Sequence, residues 1–148
     1  MRPAILFLFS VWWSLPAQAT PASVPGQVIV GAVEKVSDGD GIVVQGIKIR
    51  LYGVDAFESR RPGGADAKAF LKGLIQGKKV ACTIQGVDVK DDNRPYAICL
   101  DEHGKDLSCA VAWRGYAIEW KKFSQGRYSV CDRISPLQTS ALPGPAPF

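Results

Sequence analysis

A single histidine, His103, and the lack of any Cys-x-x-Cys spacing equip this chain poorly for zinc, whose protein sites are built from clustered cysteines and histidines. His103 lies in Asp101-Glu102-His103-Gly104, a run suited to a hairpin turn and assigned no chemical role. Long apolar stretches are equally scarce. The only one reaches from Ala4 to Leu15, interrupted by Ser10 and Ser14, and is short of the roughly 20 residues that a membrane span needs. It follows a lone charge at Arg2 and precedes Pro16 and Ala17-Gln18-Ala19. Cation, apolar stretch and A-x-A site in that order read as a cleavable secretory signal over residues 1–19. The expected mature protein is therefore exported, secreted or periplasmic, with no remaining membrane segment. Neither sign of charge dominates: the formal net charge is +4. That excess suits a polyanionic substrate, but it is equally common on surfaces that bind nothing. At 148 residues there is room for one core and not for two.

What is present points to many short strands. The chain has 15 glycines and 10 prolines, a balance that favours turns over a helical bundle. After a leader over residues 20–27, expected to be mobile, come the apolar runs Val28-Ile29-Val30 and Ala32-Val33-Glu34-Lys35-Val36. The turn Ser37-Asp38-Gly39-Asp40-Gly41 leads to Ile42-Val43-Val44, and Gln45-Gly46 makes a second tight turn. Ile47, Ile49 and Leu51 then alternate with Lys48, Arg50 and Tyr52, which buries one face and exposes the other. Ala67, Phe70, Leu71, Leu74 and Ile75 recur at helical spacing before Gly77. A strand over Lys79 to Gly86, a turn at Asp91-Asp92-Asn93 and a strand from Tyr96 to Leu100 follow. A second helix is expected from near Asp106 to Trp113, stopping at Gly115. Three strands, a helix, two strands and a helix is the order of an α+β, five-stranded OB-type β-barrel with two to three helices. The domain is expected over residues 28–134, and the Pro-rich tail 135–148 to be disordered.

Four cysteines, Cys82, Cys99, Cys109 and Cys131, form an even set, and in an exported chain such a set suggests disulfides with three formal pairings. A hairpin symmetric about Lys90 and Asp91 would set Cys82 opposite Cys99. The preferred pairing is therefore 82–99, leaving 109–131.

The charged residues suggest a site. Asp38 and Asp40 fall in the first turn, Arg50 on the exposed face of the third strand, Asp55 and Glu58 just beyond it, and Arg94 at the start of the fifth. A barrel would gather them at one end. Carboxylates with backbone carbonyls and water make a hard oxygen site for Ca²⁺. Guanidiniums grip phosphate oxygens and stabilise charge developing in a transition state, and a further carboxylate can orient or deprotonate water. Singly, each of these residues reads as an ordinary turn or solvated charge.

The segments Val36-Ser37-Asp38-Gly39-Asp40-Gly41, Ile49-Arg50-Leu51-Tyr52-Gly53-Val54-Asp55-Ala56-Phe57-Glu58 and Asp91-Asp92-Asn93-Arg94 resemble the staphylococcal (micrococcal) nuclease or thermonuclease family. Its pattern is an Asp-Gly-Asp-Thr turn, an Arg-Leu-x-Gly-x-Asp-x-Pro-Glu segment and a later Asp-x-Tyr-Gly-Arg turn. The resemblance runs from about Val28 to Tyr128. It implies a hydrolase: a Ca²⁺-dependent nuclease acting on DNA, RNA or both with little sequence preference, and a monomer. Carried over, Asp40, Asp55 and the Ala56 carbonyl are the metal ligands, and Asp38 stands behind them. Arg50 and Arg94 are the phosphate-binding arginines and Glu58 the general base. Trp120, Phe123 and Tyr128, interleaved with Lys121, Lys122 and Arg127, are candidate base-stacking residues beside the reading that they simply pack. Gly41 stands where the pattern has Thr, Phe57 where it has Pro, and the later turn is one residue short. Those departures favour a second expectation, a non-catalytic OB-like module that binds nucleic acid or an envelope polysaccharide.

Overall fold

The computed structural model describes residues 23–57 and 62–132. The alternating segments become β1 (Val28–Asp38), β2 (Gly41–Val44), β3 (Ile47–Leu51), β5 (Lys79–Asp88) and β6 (Arg94–Asp101). These five close into a barrel in the order β1-β2-β3-β6-β5. Every ladder is antiparallel except the short parallel contact of β3 with β6, where Arg50 faces Tyr96 and Leu51 faces Ala97. Three further elements flank β4 (Val54–Ala56) and β7 (Ala117–Glu119) in the chain: α1 (Gly64–Ile75), α2 (Leu107–Trp113) and α3 (Lys121–Ser124). The architecture is α+β with an OB-type barrel, as the order of elements anticipates.

The two N-terminal apolar runs form one strand, in keeping with three strands before the helix. Residues 28–32 pair with β5 and residues from Val33 onward pair with β2, so a single long strand changes partners midway. That exchange bends the sheet shut and removes its edges. The leader is corrected in part: Gly26 donates its N–H to the Ile84 carbonyl at 2.8 Å, and Ile84 donates to Gln27 at 2.8 Å. Residues 24–27 are thus clipped to β5 rather than loose. The proposed signal, residues 20–22 and the tail 135–148 lie outside the described residues.

Ile29, Val33, Val36, Ile42, Val44, Ile49, Leu51, Val80, Ile84 and Ala97 fill the barrel. Each buried Val, Leu or Ile contributes roughly 1.5–3 kcal/mol of apolar transfer energy. α1 caps one end through Ala67, Leu71 and Ile75, all without exposed surface. It stops where Gly77 takes φ +76° and donates its N–H to the Val33 carbonyl at 2.9 Å, a backbone conformation that costs glycine little. α2 begins one residue later than expected because Asp106 is its N-cap: its carboxylate accepts from Ser108 N at 2.9 Å and Cys109 N at 3.3 Å.

Both cysteine pairs are joined as expected, Cys82 to Cys99 and Cys109 to Cys131. The first links residues directly opposite on β5 and β6 inside the barrel. The second ties α2 to the chain's last described turn. A buried polar cluster holds the same turn: the Glu119 carboxylate accepts from the Ser124 hydroxyl, from Tyr128 N at 2.8 Å and from the Ser129 hydroxyl at 2.8 Å. Tyr128 lies 2% exposed within the core, its hydroxyl donating to Asp106 at 3.1 Å. Burial and the Asp106 charge push this phenol up to about 12. Tyr128 is therefore a core residue, and its place among the stacking candidates is corrected.

Two predictions follow from this clasp. Cys109→Ser with Cys131→Ser opens a link across 22 residues, and denaturant titration should show a loss of about 3 kcal/mol. Burial opposes ionisation of Glu119, but the Ser124, Ser129 and Tyr128 donors outweigh it and hold the carboxyl below its usual 4.5. Its stabilisation is then complete above pH 4.5 and lost as pH falls through the lowered value. Acid melts should show wild type losing stability below about pH 4.5, and Glu119→Gln, already less stable at neutral pH, losing less.

Candidate functional site

The β1–β2 turn reaches the mouth of the barrel, where Asp40 is 7% exposed. Close packing of this turn depends on Gly39. A Cβ there would sit 2.7 Å from the Cβ of Ala67 and 2.8 Å from that of Ala56, too near for either to remain in place. The bare backbone thus seats the turn between α1 and β4. Asp38 stands opposite Gly41 across the β1–β2 ladder, behind the turn that presents Asp40.

Asp40 meets the end of β3. Arg50 Nη2 lies 3.0 Å from Asp40 Oδ2 and 2.8 Å from Asp55 Oδ1, so one guanidinium nitrogen bridges the two carboxylates. The Ala56 N–H also donates to Asp40 Oδ2, at 3.4 Å. Asp55 and Ala56 are held by β4, whose Val54, Asp55 and Ala56 face Glu119, Ile118 and Ala117 of β7. This two-stranded sheet was not anticipated, because three residues are too few to show periodicity. Burial raises the Asp40 carboxyl above its usual 3.8, an effect strengthened by Asp55 and partly offset by Arg50, the Ala56 N–H and Arg94.

Arg94 opens β6 after a tight turn. Asp92 and Asn93 have φ +52° and +54°, and Arg94 N donates to the Asp91 carbonyl at 2.8 Å. Two successive positive-φ residues are the signature of a type I′ turn, which Asp and Asn tolerate. The turn thus sets Arg94 at the first position of β6. Its side chain, 10% exposed, turns inward with Nη1 3.3 Å from Asp91 Oδ2 and Nη2 against Gly41. Gly41 is the β2 partner of Arg50, so both arginines reach the Asp40 turn. Asp40, Arg50, Asp55, Ala56 and Arg94 are together as the sequence suggests. Glu58 lies outside the described residues.

Beside this cluster runs a cleft of about 490 Å³ whose lining includes Arg50, Tyr52, Lys90, Tyr96, Trp120 and Phe123. Trp120 and Phe123 are 46% and 42% exposed and meet edge to face with ring centroids 4.5 Å apart. Tyr52 and Tyr96 stack at 6.0 Å, and the Tyr52 hydroxyl donates to the Phe123 carbonyl, joining the barrel wall to α3. Tyr96 and Lys90 were missed by sequence reasoning. Tyr96 had a readable signal, since it falls two residues after Arg94 on the same face of β6.

Among the described residues no group of three or more His, Cys, Asp or Glu gathers as a metal cluster. Asp40 and Asp55 nevertheless direct oxygens at a single cationic nitrogen. Any small hard cation held there would have two carboxylates, with backbone carbonyls and water for the rest of its shell.

A scan against protein-family models finds no match to this chain, and a search of curated proteins finds none either. The raised Asp40 carboxyl yields a prediction free of any ligand. A carboxyl raised on folding contributes its stability at low pH and loses it as pH rises through the raised value. Asp40→Asn, neutral throughout, should melt a few degrees higher than wild type in EDTA at pH 7. The gain should vanish near pH 3, where Asp40 is itself neutral.

Proposed function

We propose that this protein is an exported, cation-dependent phosphodiesterase of thermonuclease type, cutting single-stranded DNA or RNA with little sequence preference. One observation carries the reading: Arg50 bridges Asp40 and Asp55 at 3.0 and 2.8 Å at the head of a cleft walled by Tyr52, Tyr96, Trp120 and Phe123. Opposed charges of this kind, brought together from the β1–β2 turn, β3 and β4, are costly to assemble and serve substrate chemistry more readily than stability.

The roles follow from chemistry. Asp40, Asp55 and the Ala56 carbonyl would hold Ca²⁺, a hard cation that suits oxygen donors. When bound it supplies Lewis-acid polarisation of the phosphoryl group. Arg50 and Arg94 bind the phosphate oxygens and stabilise the charge that builds on them. Glu58, three residues beyond Asp55, takes the proton of the attacking water. The exposed rings of Trp120 and Phe123 offer stacking faces that every base can use, and Lys90 and Lys122 line the same cleft for the backbone. Export is supported by the two disulfides, which persist in oxidising compartments, and by the leader pattern at residues 1–19. Among the described residues no helix is long and apolar enough to cross a membrane.

A second reading, a non-catalytic nucleic-acid-binding module, is favoured by Arg50 being committed to both carboxylates. One experiment separates the two. The full chain is incubated with single-stranded DNA and RNA in Ca²⁺ and in EDTA, alongside Glu58→Ala and Arg94→Ala. The nuclease reading expects cleavage only with Ca²⁺, reduced about 10²–10³-fold in each variant. Binding without cleavage, unchanged by EDTA, would establish the module instead.

A further inference from the structure

The aromatic walls of the cleft come from two parts of the molecule. Tyr52 and Tyr96 stand on the barrel, whereas Trp120 caps α3 and Phe123 lies within it. α3 is only four residues long, too short to hold its own shape in water. The last carbonyls of any helix have no partner inside it. Here one of them, that of Phe123, accepts the Tyr52 hydroxyl. The Tyr52 side chain leaves the barrel two residues after Arg50, packs against Tyr96 with ring centroids 6.0 Å apart, and ends on α3. It therefore crosses from one wall of the cleft to the other.

Gly53 completes the attachment. Its carbonyl accepts from Trp120 N at 2.8 Å. Its φ is +72°, and a Cβ there would come within 2.8 Å of Ser124 Cβ and 2.9 Å of Tyr128 Cε2. The α3 segment thus rests on bare backbone at residue 53, in a conformation that glycine adopts at little cost. Tyr52 and Gly53 together grip this segment at Phe123 and at Trp120, while the Glu119 cluster and the Cys109–Cys131 bond hold it from behind.

We infer that Tyr52 is a positioning residue: its hydroxyl fixes Trp120 and Phe123 at a set distance from the arginine end of the cleft, so that a stacked base and the phosphate beside it are held in one register. The inference deepens the nuclease reading and rests on it for the identity of the ligand; the attachment itself rests on the contacts of Tyr52 and Gly53. A loose wall would still meet bases, but it would have to be ordered at each binding event, at a cost in affinity. The phosphate contacts would be unaffected, because Arg50 and Arg94 belong to barrel strands.

The test compares Tyr52→Phe with wild type, both as full chains in EDTA. Each is titrated calorimetrically with two single strands of equal length, oligothymidylate and a strand made wholly of abasic sites. The variant keeps the ring that packs on Tyr96 and lacks only the hydroxyl. Loss of one hydrogen bond should weaken the thymidine strand about fivefold while the abasic strand stays within about twofold. A variant harmed only in its folding would lose both strands equally. Hydrogen exchange without ligand reads the attachment directly. The amides of Phe123, Ser124 and Gln125, which close the turns of α3, should exchange faster in Tyr52→Phe. Unchanged exchange, or equal weakening of the two strands, would overturn the inference. Cleavage by wild type alongside either of those results keeps the nuclease and sinks the positioning role. Weakening confined to the thymidine strand, in a protein that never cleaves, keeps the positioning role and sinks the nuclease. A wild type with no affinity for either strand overturns both.

Discussion

An ionised carboxylate with almost no contact with water is unstable unless something compensates it. Asp40 is in that position at the mouth of the barrel, and Arg50 at 3.0 Å with the Ala56 N–H at 3.4 Å supplies the compensation. Much of the surrounding architecture follows from this need. Arg50 must come off the end of β3, so β3 must lie beside the turn that carries Asp40. Ala56 must come close, so β4 must be held in place by β7 although neither strand could persist alone. Gly39 must lack a side chain, so that α1 and β4 can approach the turn. The compensation is incomplete, because the carboxyl is still raised above its ordinary value. Strain of this kind is common where a protein gives up stability for a reactive arrangement.

The C-terminal third serves the same site at a distance. Trp120 and Phe123 face the cleft only because the segment carrying them is held from behind. Glu119 binds three donors, Asp132 accepts from Glu119 N at 3.1 Å, and the Cys109–Cys131 bond ties the segment to α2. A four-residue helix has no intrinsic stability. Covalent and buried polar links do here what a longer amphipathic helix would do by packing. Among the described residues the third helix is short, and these links hold its segment in place.

Gly41 stands where the pattern quoted from the sequence has Thr, and the structure shows what surrounds that position. In three dimensions the space is filled by the Arg94 guanidinium, and Ser37 brings a hydroxyl to the same spot from β1. The turn before Arg94 is kept tight by two positive-φ residues, Asp92 and Asn93.

The barrel, α1, the start of α2, the pairing of Cys82 with Cys99 and the membership of Asp40, Arg50, Asp55 and Arg94 in one cluster were all legible in the sequence. The elements and the cysteine pair are governed by local rules: period two for a half-buried strand, period 3.6 for a helix, glycine at a stop, and hairpin symmetry for the cross-strand cysteines; the cluster was expected from the order of the barrel strands and from the resemblance. Tertiary structure alone decided the rest. β4 and β7 are too short for any period, and only a partner distant in sequence makes them strands. Tyr128 and Phe123 are both aromatic residues among basic neighbours, yet one lies in the core and the other on the cleft, because the Glu119 and disulfide clasp sets which way that turn faces. A sequence records which groups are present and how they alternate; where residues remote in the chain come within hydrogen-bond range is determined by closure of the barrel.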